Sequence, residues 1–326
     1  MITITVRVCG DYWANPEEVS LQLDAVAGQD QVVLDLQAEG PGLGCLGIID
    51  MIDAYCCKYQ VDPTTVAVDH WSNNAEPVPY TVINLHLLSH FFSFSLNYWS
   101  DDIPTSTHKH VFGYFIGRKT IPRAVIMYQL YHTYGSQILF SCLKHPIAVP
   151  RNVADSGIHL EHLENWLPVQ EHQSFYAWWD SNPIQSLDHH RLTDQYNAEY
   201  NTNKDLLKFY TEFDIELVSE SYTRGQTFFP TEKTVRPIMA GKPMLVQGPV
   251  NYLENLRKLG FDTYSTVWDE SYDQLEGPAR WQAIRKIIDL IMQMDTESRR
   301  SLMLESNKIA QQNRQHLAKI IKLNDT

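Results

Sequence analysis

The sequence predicts an α/β protein made of two halves that face each other across a cleft, followed by a C-terminal helical segment. Three observations support this fold class. The 326 residues are 44% hydrophobic and 20% charged, which is typical of a globular chain with one or two domains. Short apolar strands alternate with helical periodicity at the start of the chain and again from residue 206 onward. An irregular stretch, 145–200, separates the two patterns.

The first half is predicted to alternate strands with helices. The strands are expected at 2–9, 31–36, 65–69, 80–84, 111–116 and 137–141. Helices are expected at 45–59, where Leu46, Ile49 and Ile52 recur three residues apart, and at 122–134, which opens with a proline. Because a helix connects strands that run in the same direction, this order predicts a parallel sheet.

The second half returns to the same alternation and ends in helices. Strands are expected at 215–219, 243–247 and 261–264, and helices at 206–213, 230–240, 250–259 and, as two or more segments, 278–323. Gly241 and Gly260 are predicted to end two of these helices. We therefore expect an N-terminal domain at 1–145, a linker or insertion at 146–200 with a small helix near 161–166, a second domain at 201–300, and a last helix at 301–326.

Composition excludes several classes of function. The net charge of −13 argues against a globally basic nucleic-acid binder, since phosphate contacts need Lys and Arg. The five cysteines are odd in number and contain no CxxC pair, which indicates a reducing, cytoplasmic setting without a structural zinc site. The N-terminus lacks the basic segment of a signal peptide, and no apolar run reaches the roughly 18 residues of a membrane span.

Charge is distributed unevenly along the chain. Residues 1–100 hold two basic and twelve acidic side chains, whereas 103–153 hold six basic side chains and no acidic one. The segment 299–322 is also basic. An anionic ligand such as a phosphate is expected at the basic stretch, although the last segment is equally well explained as the solvated face of a helix.

A glycine-rich turn supports one alternative function. Gly42, Gly44 and Gly47 form a GxGxxG pattern between a predicted strand and a predicted helix, and Asp69 ends the next strand. This spacing matches the dinucleotide fingerprint of an NAD(P)-dependent oxidoreductase. Glu39 lies just before the turn and places a carboxylate where an anion would bind, so a plain strand-to-helix turn remains the simpler interpretation.

A second candidate lies at the end of the predicted strand 111–116. Gly117 and Arg118 follow that strand directly and precede the helix at 122–134. Ligands of open α/β sheets bind at the carboxyl ends of strands, and an arginine there can hold a phosphate with two hydrogen bonds. A surface salt bridge is the alternative role of Arg118.

The strongest signal is a strand, loop and helix at 215–240. Thr231 is predicted as the N-cap of the helix, so Glu232 and Lys233 occupy its first turn. The carboxylate of Glu232 can accept the hydroxyls of a ribose, and Lys233 can contact phosphates. Glu220 and Tyr222, on the loop before the helix, complete this predicted nucleotide-binding set.

The Thr231-Glu232-Lys233 segment, with the helix, glycine turn and apolar strand after it, resembles the sugar-nucleotide half of glycosyltransferases of the GT-B type. The resemblance covers about 215–275 and is closest to the fucosyltransferase-like TEK segment. It implies two Rossmann-like domains facing each other across a cleft, with Glu232 on the ribose, Lys233 and Arg118 on the phosphates, and a last helix that returns to the N-terminal domain. Arg236-Pro237 inside the helix and the short 220–231 loop depart from the family pattern.

The resemblance implies a sugar transfer from a nucleotide-diphosphate sugar without a metal. We expect an inverting transfer, although the sequence leaves inversion and retention at the anomeric carbon both open. The chain contains no DxD motif, in agreement with a reaction in which protein cations stabilise the leaving diphosphate. A general base is expected from the N-terminal half, with Glu39 preferred over Asp11. His86, His90, His108 and His110 show metal-like spacing without a completing ligand, so no metal site is predicted.

The acceptor hydroxyl is not readable from the sequence. A glycan, a protein or a virally modified DNA base fits, although the net charge does not favour DNA. Besides the NAD(P)-dependent oxidoreductase, the sequence leaves open a non-catalytic binding protein with the same fold.

Overall fold

The computed structural model describes most of the chain. The described residues are 2–9, 12–13, 15–26, 31–36, 43, 47–69, 73–74, 78–83, 109–117, 120–142, 161–181, 183–184, 187, 206–220, 223 and 225–324. Within them the protein is an α/β structure with two parallel four-stranded sheets.

The first sheet belongs to the N-terminal part of the chain. Its strands are β1 (Ile2–Thr5), β4 (Val32–Asp35), β5 (Val66–Asp69) and β7 (Thr81–Ile83), which lie side by side in chain order. Helices α1 (Pro16–Ala25) and α2 (Ile48–Tyr59) connect them. The predicted strand 2–9 divides into β1 and a short hairpin of β2 (Val8–Cys9) and β3 (Tyr12–Trp13).

The second sheet corrects the predicted domain boundary at 145. Its strands are β12 (Met244–Gln247), β10 (Phe213–Ser219), β8 (His110–Ile116) and β9 (Ile138–Cys142), in that spatial order. The predicted strands 111–116 and 137–141 therefore pair with the C-terminal half of the chain, and the two sheets divide between residues 83 and 110. An unbroken strand-helix rhythm shows that strands are parallel, but it does not show which sheet they join.

Each sheet has a hydrophobic core of its own. Val19, Leu34, Ile52 and Val68 belong to the core of the first sheet. The helices that follow β8 and β10, α3 (Ile121–Tyr134) and α6 (Glu232–Ala240), pack into the larger core of the second. The short strands β6 (Asn73–Asn74) and β11 (Thr227–Phe228) form an antiparallel pair that links the loop after β5 to the loop after β10.

Most predicted helices of the second half are confirmed, and three elements differ. The helix α7 (Tyr252–Lys258) and the pair α8 (Gly277–Gln293) and α9 (Thr296–Asn324) lie where helical periodicity placed them. The predicted helix at 206–213 is mostly a short 3-10 helix, Lys208–Thr211, and 261–264 is not a strand. The predicted linker contains two helices, the expected α4 (Glu161–Trp166) and the unexpected α5 (Val169–Ser181).

The last helix packs on the second half. Gln311 Nε2 donates to the carbonyl of Gly241 at 3.2 Å, and Asn313 forms hydrogen bonds with both backbone groups of Asp262. His316 Nε2 lies 2.9 Å from the carbonyl of Leu259. In the described residues α9 therefore lies against α6 and the end of α7, and its return to the N-terminal domain, which the resemblance implies, stays a prediction.

Within the described part of the chain, no helix combines the length and the apolar character that crossing a membrane would require.

Candidate functional site

The order of strands in the second sheet predicts a crevice suited to a ligand. From β8 the chain passes through α3 to β9 on one side, whereas β10 continues through α6 to β12 on the other side. The winding direction thus reverses between β8 and β10. In open α/β sheets, ligands bind outside the carboxyl ends of the strands at such a reversal. The loops that follow β8 and β10 border this crevice.

Both loops carry residues that the sequence predicted for nucleotide binding. Glu216 pairs with Gly113, and the same register continued to the strand ends sets Gly117 beside Glu220. Arg118 and Tyr222 belong to these two loops in the sequence but lie outside the described residues. Sheet topology therefore brings Gly117 to the segment 220–233, as the nucleotide-binding hypothesis requires.

A buried arginine ties the two sides of the crevice together. Arg123 lies in the first turn of α3 and is 2% exposed. Its guanidinium donates to the carbonyl of Ser219 at 3.0 Å, and its own carbonyl accepts from Tyr114 Oη at 3.2 Å. The cation therefore fixes the start of α3 to the end of β10 and adds positive charge beneath the crevice.

Thr231 is the N-cap of α6, as predicted. Its backbone is extended, and its hydroxyl accepts from the amide of Lys233 at 3.3 Å. The helix is nine residues long, contains Pro237 in its interior and ends at Gly241, whose φ of 60° suits glycine. The cap directs the first turn, which carries Glu232 and Lys233, toward the loop side of the sheet.

Glu220 holds that first turn in place rather than offering a free carboxylate. One oxygen accepts from the Thr231 amide at 3.2 Å, Thr234 Oγ1 at 2.6 Å and Tyr252 Oη at 2.8 Å. The other accepts from Thr231 Oγ1 at 2.6 Å, and the residue is 2% exposed. Because these contacts occupy both oxygens inside the protein, we assign Glu220 to positioning α6 instead of the predicted nucleotide contact.

Glu232 and Lys233 form a partly exposed ion pair at the start of α6. Lys233 Nζ donates to Glu232 Oε1 at 2.8 Å and to Thr231 Oγ1 at 3.1 Å. The Glu232 side chain keeps 24% of its surface exposed and that of Lys233 keeps 11%. Burial by itself raises the pKa of Glu232, but the Lys233 and Arg236 cations outweigh it and lower that pKa to about 2. The structure thus presents an ionised acceptor beside an ammonium group at a helix N-terminus.

A second, fully buried cluster lies one helical turn deeper. Tyr210 Oη donates to Glu216 Oε2, and Arg236 Nε donates to Tyr210 Oη at 3.2 Å. The Arg236 guanidinium also lies 3.6 Å from Glu216 Oε1. Burial raises the pKa of Glu216 to about 7 although Arg236 opposes the shift. This cluster joins the middle of β10 to the middle of α6.

Of the three glycines in the GxGxxG pattern the structure describes Gly47, which does not show the close packing expected at a dinucleotide site. Gly47 is the N-cap of α2 with a φ of 71°, and a Cβ built on it meets nothing within 4 Å. The glycine therefore serves a left-handed backbone conformation, not the close packing that the fingerprint needs. The described strands of this sheet follow chain order without a reversal beside the turn. Gly42 and Gly44 lie outside the described residues.

The predicted general bases, Glu39 and Asp11, also lie outside the described residues, as do His86, His90 and His108. His110 is described, and its Nδ1 lies 2.8 Å from the carbonyl of Ser136. Among the residues that the structure describes, no group of three or more His, Cys, Asp and Glu side chains could hold a metal ion.

Sequence reasoning missed the residues that support the site from inside. Glu216 is a charged residue in an otherwise largely apolar strand, and Arg236 follows Glu232 by four positions, so both share one helix face. Together these two features could have signalled a buried ion pair. Tyr210 carried no comparable signal, because its role depends on the three-dimensional approach of the 3-10 helix to β10.

Comparison of the chain with protein-family models, curated proteins and solved structures finds no match.

Proposed function

We propose that this protein is a glycosyltransferase that binds a nucleotide-diphosphate sugar at the carboxyl ends of β8 and β10 and transfers the sugar to an acceptor hydroxyl. In this proposal the two α/β parts have the GT-B arrangement, with the acceptor taken by the N-terminal part. The acceptor is a glycan, a protein or a modified DNA base.

One observation carries the proposal. The first turn of α6 presents an ionised, partly exposed carboxylate, Glu232, beside the ammonium group of Lys233 at the point where sheet winding reverses. A nucleoside diphosphate needs both groups, because its ribose hydroxyls donate hydrogen bonds and its phosphates carry negative charge. The helix N-terminus adds a positive dipole on the phosphate side.

In the proposed reaction a carboxylate of the N-terminal half acts as the base, and two cations near the crevice stabilise the leaving group. The acceptor oxygen attacks the anomeric carbon while the bond from that carbon to the diphosphate oxygen breaks. The acceptor proton passes to a carboxylate of the N-terminal half, for which Glu39 and Asp11 remain the candidates. Lys233, together with Arg118 from the loop after Gly117, stabilises the charge that develops on the leaving diphosphate. The outcome is inversion at the anomeric carbon, without need of a metal in this account.

A thermal-shift series with UDP, GDP, CDP, ADP, TDP, CMP and NAD(P) tests the donor site. A ligand that binds only the folded state raises the unfolding midpoint, by an amount that corresponds to about 2.7 kcal/mol at a hundred times Kd. We expect one nucleoside diphosphate to raise the midpoint of the wild-type protein and to have no such effect on Glu232→Gln. Lys233→Ala is expected to lose the same response.

Two matched controls lie on α7. Glu254 is an exposed glutamate in the first turn of that helix and pairs with Lys258 at 3.0 Å, which reproduces the carboxylate-ammonium pair away from the crevice. Glu254→Gln and Lys258→Ala should keep the full response. A midpoint raised by NAD(P) alone would replace the proposal with the oxidoreductase. Nucleotide binding without sugar transfer or donor hydrolysis would indicate the non-catalytic binding protein.

A further inference from the structure

The hydroxyl of Thr231 contacts two groups of Lys233. It accepts from the Lys233 amide at 3.3 Å and from Lys233 Nζ at 3.1 Å. The bond to the amide caps α6, and it is longer than the usual range of about 2.7–3.2 Å for an N–H···O bond, whereas the bond to the ammonium group lies within that range. Capping by itself therefore does not account for the position of this hydroxyl.

Glu220 determines the direction in which the Thr231 hydroxyl points. Thr231 Oγ1 donates to Glu220 Oε2 at 2.6 Å. The other oxygen of Glu220 accepts from Thr234 Oγ1 at 2.6 Å and from Tyr252 Oη at 2.8 Å, so the carboxylate is held in this orientation. A threonine hydroxyl has one proton and two lone pairs. Because its proton is donated to Glu220, the lone pairs of Thr231 are left for the amide and the ammonium group of Lys233.

The ammonium group of Lys233 lies at the end of α6 that disfavours a cation. A helix N-terminus carries partial positive charge, and basic side chains stabilise the opposite end of a helix. Lys233 nevertheless turns back toward the cap, where Glu232 Oε1 and Thr231 Oγ1 bind its Nζ. Its side chain keeps 11% of its surface exposed there. An anion that binds from outside the protein explains a cation held at this end of the helix.

We infer that Thr231 is a positioning residue for Lys233, and that Glu220 orients the Thr231 hydroxyl for this task. The inference rests on the proposed function, in which Lys233 contacts the diphosphate of the donor. Thr231 does not touch the donor. Its hydroxyl holds the ammonium group of a long, flexible side chain in place before the donor binds, which reduces the conformational entropy lost on binding.

Nitrogen-15 NMR of the lysine ammonium groups tests the inference without a ligand. An ammonium group held by hydrogen bonds exchanges its protons slowly with water and gives a sharp signal. The Lys233 signal is assigned as the one missing from Lys233→Arg. We expect this signal to broaden in Thr231→Val, which keeps the shape of the side chain but lacks the hydroxyl. Thr231→Ser keeps the hydroxyl and should retain the sharp signal.

The backbone of the first turn separates positioning from capping. The amides of Thr234 and Val235 donate to the carbonyl of Thr231 at 3.1 and 3.2 Å, so their NMR signals show whether the turn persists. The inference predicts a loosened ammonium group in a turn that persists. If Thr231→Val loses the turn, Thr231→Gly decides the matter, because glycine lacks the hydroxyl and caps a helix almost as well as threonine. A sharp Lys233 signal in both variants, or its loss only together with the turn, overturns the inference.

A second cation, threonine and glutamate supply the control at the far end of α7 from Tyr252. Arg257 Nη1 donates to Thr263 Oγ1 at 2.7 Å, and Thr263 Oγ1 donates to Glu270 Oε2 at 2.7 Å. The threonine hydroxyl thus accepts from a cation and donates to a carboxylate, as Thr231 does. Thr263→Val should weaken this second arrangement and leave the Lys233 ammonium signal unchanged.

Inorganic pyrophosphate gives the functional readout, because it carries a diphosphate without a base or a sugar. Calorimetry should show that pyrophosphate binds Thr231→Val about two- to tenfold more weakly than the wild-type protein, the effect of one long side chain that must be immobilised on binding. Thr231→Ser and Thr263→Val should retain the wild-type affinity. Equal affinity of Thr231→Val and the wild-type protein would overturn the inference.

The proposed function fails in a different way. It is overturned if the wild-type protein binds neither pyrophosphate nor any nucleoside diphosphate of the thermal-shift series. The ammonium signal would still decide in that case whether Thr231 positions Lys233, because that measurement needs no ligand.

Discussion

Glu220 and Glu232 border the same crevice and have opposite roles because their surroundings differ. Glu220 is buried, and protein groups donate to both of its oxygens. Glu232 is partly exposed, and Lys233 is the described side chain that hydrogen-bonds to it. At the scale of single residues, then, Glu232 is suited to a ligand because its carboxylate keeps exposed surface. Glu220, whose oxygens already accept hydrogen bonds from the protein, supports the helix that carries Glu232.

The cap residue allows a prediction at this scale. Thr231→Ala removes the acceptor for the Lys233 amide and a donor to Glu220, so we expect a loss of stability of about 1–2 kcal/mol. Thr231→Ser keeps the hydroxyl and should recover most of this loss. Urea unfolding followed by circular dichroism measures both variants. Equal stability of the serine and alanine variants would show that the hydroxyl does not cap the helix.

At the scale of elements, α6 depends on its neighbours. It is short, and Pro237 removes one of its internal hydrogen bonds, a defect that costs about 3 kcal/mol or more in a helix interior. Isolated helices of this length are unstable in water. Contacts from β10 on one side and α9 on the other therefore keep the first turn, with Glu232 and Lys233, in its observed position.

The end of α6 provides an element-scale prediction. Gly241 has a φ of 60°, and a Cβ there would lie 2.4 Å from Gln311 Nε2 on α9. Gly241→Ala should cost more than the roughly 1–2 kcal/mol of a left-handed alanine, because the side chain of Gln311 must also move. Gly47→Ala has the same backbone cost in open space and is the matched control. Similar losses in the two variants, measured by urea unfolding, would show that the Gln311 side chain moves aside at little cost.

At the scale of the whole molecule, two glutamates should shape the pH dependence of stability in separate ranges. Glu232 has a pKa lowered to about 2 in the folded state, so its contribution is present above the unfolded value of about 4.3 and is lost as pH falls toward 2. Glu216 has a pKa raised to about 7, so the folded state holds its proton more tightly. Its contribution is present below about 4.3 and is lost as pH rises toward 7.

This difference predicts the behaviour of Glu216→Gln. The free energy of unfolding of the wild-type protein should fall relative to that of the variant as pH rises from 4.5 to 7. In this range unfolding of the wild-type protein releases the proton of Glu216, whereas the glutamine of the variant has none to release. Urea unfolding at several pH values measures the difference. Glu254→Gln, with an exposed carboxylate, should follow the wild-type curve. Parallel curves for Glu216→Gln and the wild-type protein would contradict the burial of a titrating group.

Because each sheet has a core of its own, we expect a bound donor nucleotide to slow hydrogen exchange in the second sheet and its helices and not in the first. Hydrogen exchange should slow in α6, in β10 and at the start of α3 when the nucleoside diphosphate binds, because these elements border the crevice. The helix α2, in the core of the first sheet, serves as the internal reference. Protection confined to α2 would move the ligand to the Gly47 turn.

The sequence predicted those features of the second sheet that depend on neighbouring residues, and it did not predict those that depend on distant ones. The cap at Thr231, the glycine end at Gly241 and the strand 243–247 each depend on local chemistry. The membership of β8 in that sheet depends on pairing with a strand about a hundred residues away, which periodicity cannot reveal. The sequence did not predict α5, because its aromatic residues, including Trp178, pack against Tyr128 of α3. That contact joins distant parts of the chain and exists only in the folded protein.

A double-mutant cycle between Glu232 and the ribose tests the central claim most directly. Isothermal titration calorimetry would compare the best nucleoside diphosphate of the thermal-shift series with its 2′,3′-dideoxy form, on the wild-type protein and on Glu232→Gln. If Glu232 accepts the ribose hydroxyls, removal of the hydroxyls should weaken binding to the wild-type protein and have little further effect on the variant. Losses that simply add would contradict the donor site at the start of α6.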